Sequence, residues 1–507
     1  PMHLALPALR RAPAPLLFAG GQGGSKASEL QCTVALVKNI VGTGVLTLPV
    51  GISRLSESGA SSAEALAIAS ALLLIVGGLN AWGFVLIGEA CAATRQGSYV
   101  GAWRKTMGPS LAFLPALASL VLCFTASVSC ACVIADTATD LLAGALQVDF
   151  DALPRNAVLA SIAAGVLAPL CLLPSLAPLG SASVFGVSGI LITGIAMLTR
   201  LADGSYVPGQ GAFSDMVQAA PQFTSADSLI SPTAGSVALL VSLLSNAFLA
   251  HYNAPGVYNE LAPAASVDDG RKPKANDPLG RLRSSTAAEQ VNAFFQGFIA
   301  SIPVASLREG LVSSQRLEVV ARDRRVPEAR VQRALSSFRR VVTTAFGLSA
   351  LLFLLLATSS FATFGNASAD MILNSYANSD PLASVARAGV LLAVLFEFPL
   401  LERPFRLTVL EGLGQDQLTN APWVAGLSVA FLASIAALNP PLETIAALGG
   451  STGGALLIYV APALMSLQLQ SSQPGPGTAA RWALILAGAG VGTLGTVEAL
   501  LKLGIGV

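Results

Sequence analysis

Eleven runs of roughly twenty apolar residues punctuate this chain, the length one helical crossing of a bilayer's hydrocarbon core requires. They fall at about 30–53, 63–92, 111–135, 157–173, 182–201, 236–258, 341–364, 383–401, 422–438, 442–467 and 480–501. Within lipid every backbone N–H and C=O must find a partner inside the protein, so such runs fold as helices. Hydrophobic residues make up 53% of the chain and charged residues 11%, where a soluble domain carries about 25% charged residues. The expected fold class is therefore an all-α membrane protein with eleven transmembrane helices.

Loop charges divide the connections into two sides. Arg10, Arg11 and Lys26 precede span 1; Arg95, Arg104 and Lys105 follow span 2; Arg403 and Arg406 follow span 8; Arg481 follows span 10. Between spans 6 and 7, Arg271 to Arg340 contribute 14 Lys/Arg. The alternate loops hold Asp149 and Asp151, then Asp203, Asp215 and Asp227, then Asp370 and Asp380. Basic loops stay cytoplasmic, so the N-terminus is expected inside. Four parts follow: a cytoplasmic tail (1–29), spans 1–6 (30–261), a long basic insert (262–337) and spans 7–11 (338–507). In the insert, 291–307 is apolar but short, and basic 316–340 reads as a helix along the headgroups. Asn366-Ala367-Ser368, on the expected outer side, is a glycosylation sequon.

Net charge is +1 and no aromatic-plus-basic stripe occurs, which gives nucleic acid no footprint. Cys32, Cys91, Cys123, Cys130, Cys132 and Cys171 lie in apolar runs without metal-ligand spacing and read as packing residues. No nucleophile–base pair or ligand cluster suggests an enzyme, and no metal or cofactor is expected.

Two spans are interrupted. Span 1 contains Gly42-Thr43-Gly44 with Pro49 nearby, and span 6 runs Ser245-Asn246-Ala247-Phe248-Leu249-Ala250-His251 on to Pro255-Gly256. Gly in a membrane helix can mark a packing face or a kink, and His251 can be a packed histidine. Matching interruptions five spans apart are instead the pointer to a midplane site in a transporter built from inverted repeats.

Val37-Lys38-Asn39-Ile40-Val41-Gly42-Thr43-Gly44 through Pro49 resembles the first span of the amino acid/auxin permease family, within the amino acid–polyamine–organocation superfamily. Ser98-Tyr99 with Met107-Gly108 is similar to that family's motif after span 2. Phe248 to His251 with Tyr258-Asn259-Glu260-Leu261 resembles its span 6. Phe338-Arg339-Arg340 through Phe361-Ala362-Thr363-Phe364-Gly365 resembles its span 7. Phe398-Pro399-Leu400 with Pro404-Phe405-Arg406 resembles the end of its span 8. The matches run in order from about residue 29 to 467.

The resemblance implies a LeuT-like 5+5 inverted repeat and uptake or efflux of amino acids driven by a cation gradient, across a plasma or vacuolar/lysosomal membrane. Freed N–H groups at Gly42, Thr43 and Gly44, at the positive end of a half-helix, suit a substrate carboxylate. The α-amino group would then meet span 6 around Ser245, Asn246 and Phe248. The sodium-coupled branch typically carries Asn where Lys38 stands, and a fixed cation there would replace Na⁺. Lys38 thus resembles the proton-coupled branch, although the His that animal members carry three residues earlier is Ala35. Proton-carrying candidates are Glu397, Asp136, Glu89 and His251, with Glu397 deepest in its span and Glu89 and Asp136 open to an interfacial reading. The expectation is an H⁺-coupled carrier of small neutral amino acids. The alternatives are Na⁺ coupling, an auxin-like acid as substrate, or an amino acid sensor signalling through the insert.

Overall fold

A computed structural model describes residues 28–111, 113–146, 153–173, 177–217, 219–225, 232–261, 328–413, 415, 418, 421–470 and 477–504. The expected tail up to residue 27 and the insert over 262–327 lie outside the described residues. Residues 328–337, expected as the end of the insert, are helical and continuous with span 7.

In chain order the helices are α1 (Glu29–Ile40), α2 (Leu48–Glu57), α3 (Ser62–Thr94), α4 (Tyr99–Met107), α5 (Phe113–Leu146), α6 (Arg155–Cys171) and α7 (Ala177–Asp203). There follow α8 (Ala234–Ala247), α9 (Ala254–Leu261), α10 (Glu328–Phe364), α11 (Pro381–Gly412), α12 (Pro422–Ala437), α13 (Leu442–Leu469) and α14 (Thr478–Lys502). Every expected apolar run is met by a helix or a broken pair. Among the described residues eight helices, α8 and α9 taken as one, are long and apolar enough to cross a bilayer, nine with the bent pair α1–α2. The shorter α6 and α12 make up the difference from eleven; at 16 residues α12 extends only about 24 Å.

Local chemistry fixes the helix starts. Ser28 and Gln31 form a reciprocal capping box on α1, and Ser61 and Glu64 do the same on α3, each satisfying N–H groups that a helix leaves unpaired. In the middle of the bundle α7 and α11 touch backbone to backbone. A Cβ on Gly389 would sit 2.8 Å from Gly189 Cα, so only glycine permits that crossing. α11 also packs along α5, while α1, α2, α3, α8 and α10 pack on one another.

Ion pairs mark one end of the bundle. Glu29 at the start of α1 pairs with Arg340 at 2.6 Å, and Glu89 near the end of α3 pairs with Arg339. Residues of α5, the start of α6, and described residues between α7 and α8, α10 and α11, and α12 and α13 meet at the other end, around one polar cavity.

Candidate functional site

The first break is a true discontinuity. α1 ends at Ile40, a 3-10 turn covers Thr43–Thr47, and the axis bends by 45°. The Gly42 N–H folds back on Ile40 O at 3.0 Å. Thr43 and Gly44 open the 3-10 turn, and the first N–H groups of such a turn have no carbonyl to accept them. Glycine is required by what stands opposite: a Cβ on Gly44 would lie 3.0 Å from Ala247 Cα, in backbone that cannot swing aside. A Cβ on Gly42 would lie 3.4 Å from Glu397 Oε1. The carboxylate of α11 therefore rests against the broken backbone of span 1.

Gly42, Thr43, Gly44, Asn246, Tyr252 and Glu397 all keep part of their surface accessible although helices surround them. Accessible surface at such depth is the wall of a crevice. Cys130 of α5 stands near both Thr43 and Glu397, and Tyr252 also lies near Glu397. Lys38, in the last turn of α1, is half-buried where a cation meets the negative end of the helix dipole.

Span 6 is interrupted more gently. α8 stops at Ala247, a 3-10 turn covers His251–Asn253, and α9 resumes without a bend sharp enough to separate the halves. Here the expected site residues divide. Asn246 faces the crevice and stands 3.4 Å from a Cβ on Gly44. Ser245, expected as a substrate contact, is fully buried and donates to Val241 O at 2.7 Å. Its proton being used there, Tyr459 donates to Ser245 Oγ at 2.6 Å and accepts from Asn80 Nδ2 at 3.2 Å. His251 Nε2 donates to the Asn80 carbonyl at 2.9 Å, and its ring lies edge-on to Phe84. Phe248 is buried against Phe353 and the Gly77 backbone. Ser245, Phe248 and His251 thus form the back of span 6, held to α3 and α13, rather than the crevice wall.

Of the other carboxylates considered, Glu89 is committed to Arg339 near the helix end opposite the cavity, and Asp136 to Arg155 beside the cavity. The sequon meets a physical obstacle. Asn366 Nδ2, the atom a glycan would occupy, donates to Thr224 at 2.8 Å, and Ser368 is 6% exposed.

The sequence reading expected α13 as a span but missed its irregularity and its place beside the crevice. The helix contains two π turns, Gly450–Gly454 and Leu456–Val460, an irregularity frequent at functional sites. A Cβ on Gly449 would approach Thr125 Oγ1 at 2.7 Å and Asn246 Oδ1 at 3.0 Å. The run Gly449-Gly450-Ser451-Thr452-Gly453-Gly454 was the available signal. The reading also missed the buried ion pair Asp140–Arg387, both charges inside helices.

Comparison with known proteins bears on this arrangement. The family of transmembrane amino acid transporter proteins matches residues 25–262 and 330–497. The chain belongs to that family. The unmatched interval coincides with the insert. Vacuolar amino acid transporter 5 of Schizosaccharomyces pombe is 27% identical over 173 residues, 32% of this chain. The match spans 41% of that relative's length. Among solved structures, the inward-facing conformation of Mhp1 aligns with TM-score 0.47 and 12% identity over 98% of this chain and 92% of that one. A mutant manganese transporter of Eremococcus coleocola aligns with TM-score 0.40 and 11% identity over 96% and 88%.

Proposed function

We propose that this transporter carries small neutral amino acids by alternating access and couples them to protons through Glu397, within a 5+5 repeat whose broken members are spans 1 and 6. One observation supports this above the others: Glu397 Oε1 lies against Gly42, beside the N–H groups that suit a substrate carboxylate. Two carboxylates held a few ångströms apart in a water-poor crevice do not both stay ionised. The substrate carboxylate therefore enters when Glu397 carries a proton, and it leaves when that proton does. This linkage is what symport requires. Asn246 at the rim offers an amide to the α-amino or α-carboxylate group, and the Thr43 hydroxyl lies near Cys130. Lys38 supplies a fixed positive charge on the inner half-helix, which favours H⁺ over Na⁺ as the coupling ion. The vacuolar relative favours an internal acidic compartment as the proton source.

Proteoliposomes test the reading. A panel of radiolabelled amino acids is offered with and without an imposed pH gradient, with Na⁺ replaced by choline. Accumulation that follows the pH gradient and ignores choline is the expected result. Accumulation that needs Na⁺ overturns proton coupling, and failure of the whole panel overturns the substrate class.

A further inference from the structure

At the end of the bundle opposite the Glu29–Arg340 pair lies a cavity of ≈ 270 Å³, whose lining includes Asp136, Asp140, Arg155, Asn374, Tyr376 and Asn439. It is distinct from the crevice at the breaks. Asp140 lies ten residues beyond Cys130 on α5, the residue that stands near Glu397, and Arg387 lies ten residues before Glu397 on α11. Ten helical residues rise about 15 Å.

The lining is built rather than incidental. Arg387 is 1% exposed and pairs with Asp140 at 3.0 Å. It also donates to the carbonyls of Leu373, Tyr376 and Ala377 at 2.9, 2.7 and 3.3 Å. One buried guanidinium thereby ties the α10–α11 connection over the cavity and neutralises Asp140. The second pair, Asp136–Arg155, faces the cavity half-open. Asn374 Nδ2 donates to Asp136 at 3.1 Å, and Arg155 donates to Ala436 O at 3.1 Å. Polar capacity is left over: Asn374 Oδ1 makes no hydrogen bond among the described residues.

We propose that this cavity is a second, outer binding site for the zwitterionic head of an α-amino acid, Asp136 taking the ammonium group and Arg155 the carboxylate. The proposal rests on the amino acid reading above. Charge balance selects the ligand class. A plain amine entering between Asp136 and Arg155 would leave the guanidinium unpaired, and a plain acid would strand the carboxylate, both costly in a half-buried site. A zwitterion pairs both at once. The volume lies at the small end of ligand pockets, about 300 Å³ and upward, which suits a short side chain.

Equilibrium binding of radiolabelled L-alanine to the purified full-length protein reads this directly. Two alanines per chain are expected for the unmodified protein. Asp136→Asn should weaken one of them about tenfold, the loss of one charge-assisted contact, while Gly44→Val should remove the other. Arg155→Gln gives the same result from the partner residue if Asp136→Asn does not fold. n-Propylamine and propionate, each with half the zwitterion, should compete at the outer site at least about tenfold more weakly than alanine. One alanine per chain, lost in Gly44→Val and unmoved by Asp136→Asn or Arg155→Gln, overturns the outer site and leaves the transport reading standing. Equal competition by n-propylamine overturns the zwitterion assignment. No alanine bound at all overturns the substrate class, and this site with it.

Discussion

The two interrupted spans carry the same kind of signature and behave differently. In span 1 the helix stops, bends by 45° and presents bare backbone to an accessible crevice. In span 6 the helix stops but runs on without a bend as sharp, and its Ser245 and His251 side chains are spent on Tyr459 and Asn80. Glycine leaves a broken helix with nothing but N–H groups to offer, so a ligand can use them. Serine and histidine give the neighbouring helices something to hold, so the break becomes a joint in the scaffold. Two interruptions that read alike in sequence thus differ in the fold: one is left open to the crevice, the other is gripped.

Four substitutions probe that division, in decreasing order of expected effect. Gly44→Val drives a side chain into Ala247 backbone and should bring amino acid uptake to background, measured as radiolabel accumulation in proteoliposomes; uptake near the unmodified level would show that the first break is not the binding surface. Glu397→Gln should abolish accumulation driven by a pH gradient yet keep exchange of internal for external substrate. Substrate binding to this variant should no longer vary between pH 5 and 8, whereas loss of binding at every pH would recast Glu397 as the partner of the substrate's ammonium group. Tyr459→Phe should act on the grip instead. We expect a loss of about 1–2 kcal/mol in stability from the missing hydroxyl, read as a lower melting temperature, with substrate affinity within about twofold. A large affinity loss there would erase the distinction between the two breaks. Smallest is Glu29→Gln at the inner end. Arg340 holds the Glu29 carboxyl below its ordinary value, so its contribution is present above the ordinary carboxylate pKa and fades as pH falls through the lowered one. The variant should match the unmodified protein in acid and differ from it only slightly near neutrality, in melting temperature followed against pH.

Much of this was legible in the residues. Gly42-Thr43-Gly44 beside Pro49 announces a helix that cannot continue, and Glu397 is a carboxylate with no reason to be in an apolar run unless it has work to do. What could not be read was direction. Adjacent helical residues point about 100° apart, so Asn246 reaches the crevice while Ser245 turns to Tyr459, a partner more than two hundred residues away in the chain. His251 and Phe248 fail for the same reason: their environment is made by α3 and α10, and no local pattern names it. Arg387 stands in an expected span and Asp140 just past the end of another, yet neither was singled out, because their pairing needed the packing of α5 on α11. The Asn366 sequon is correct as a pattern; the folded loop occupies its nitrogen.

The paired π turns of α13 have a consequence for how the helix tolerates change in length. Each π turn holds one residue more than an α-helical turn would, so the stretch from Gly450 to Val460 carries slack that regular helices such as α3 lack. Removing a single residue there lets a π turn relax into an α turn, whereas the same deletion in α3 rotates everything beyond it by about 100°. α13 is thus a spring in a bundle of rods, and its position against Asn246 puts the spring beside the proposed site.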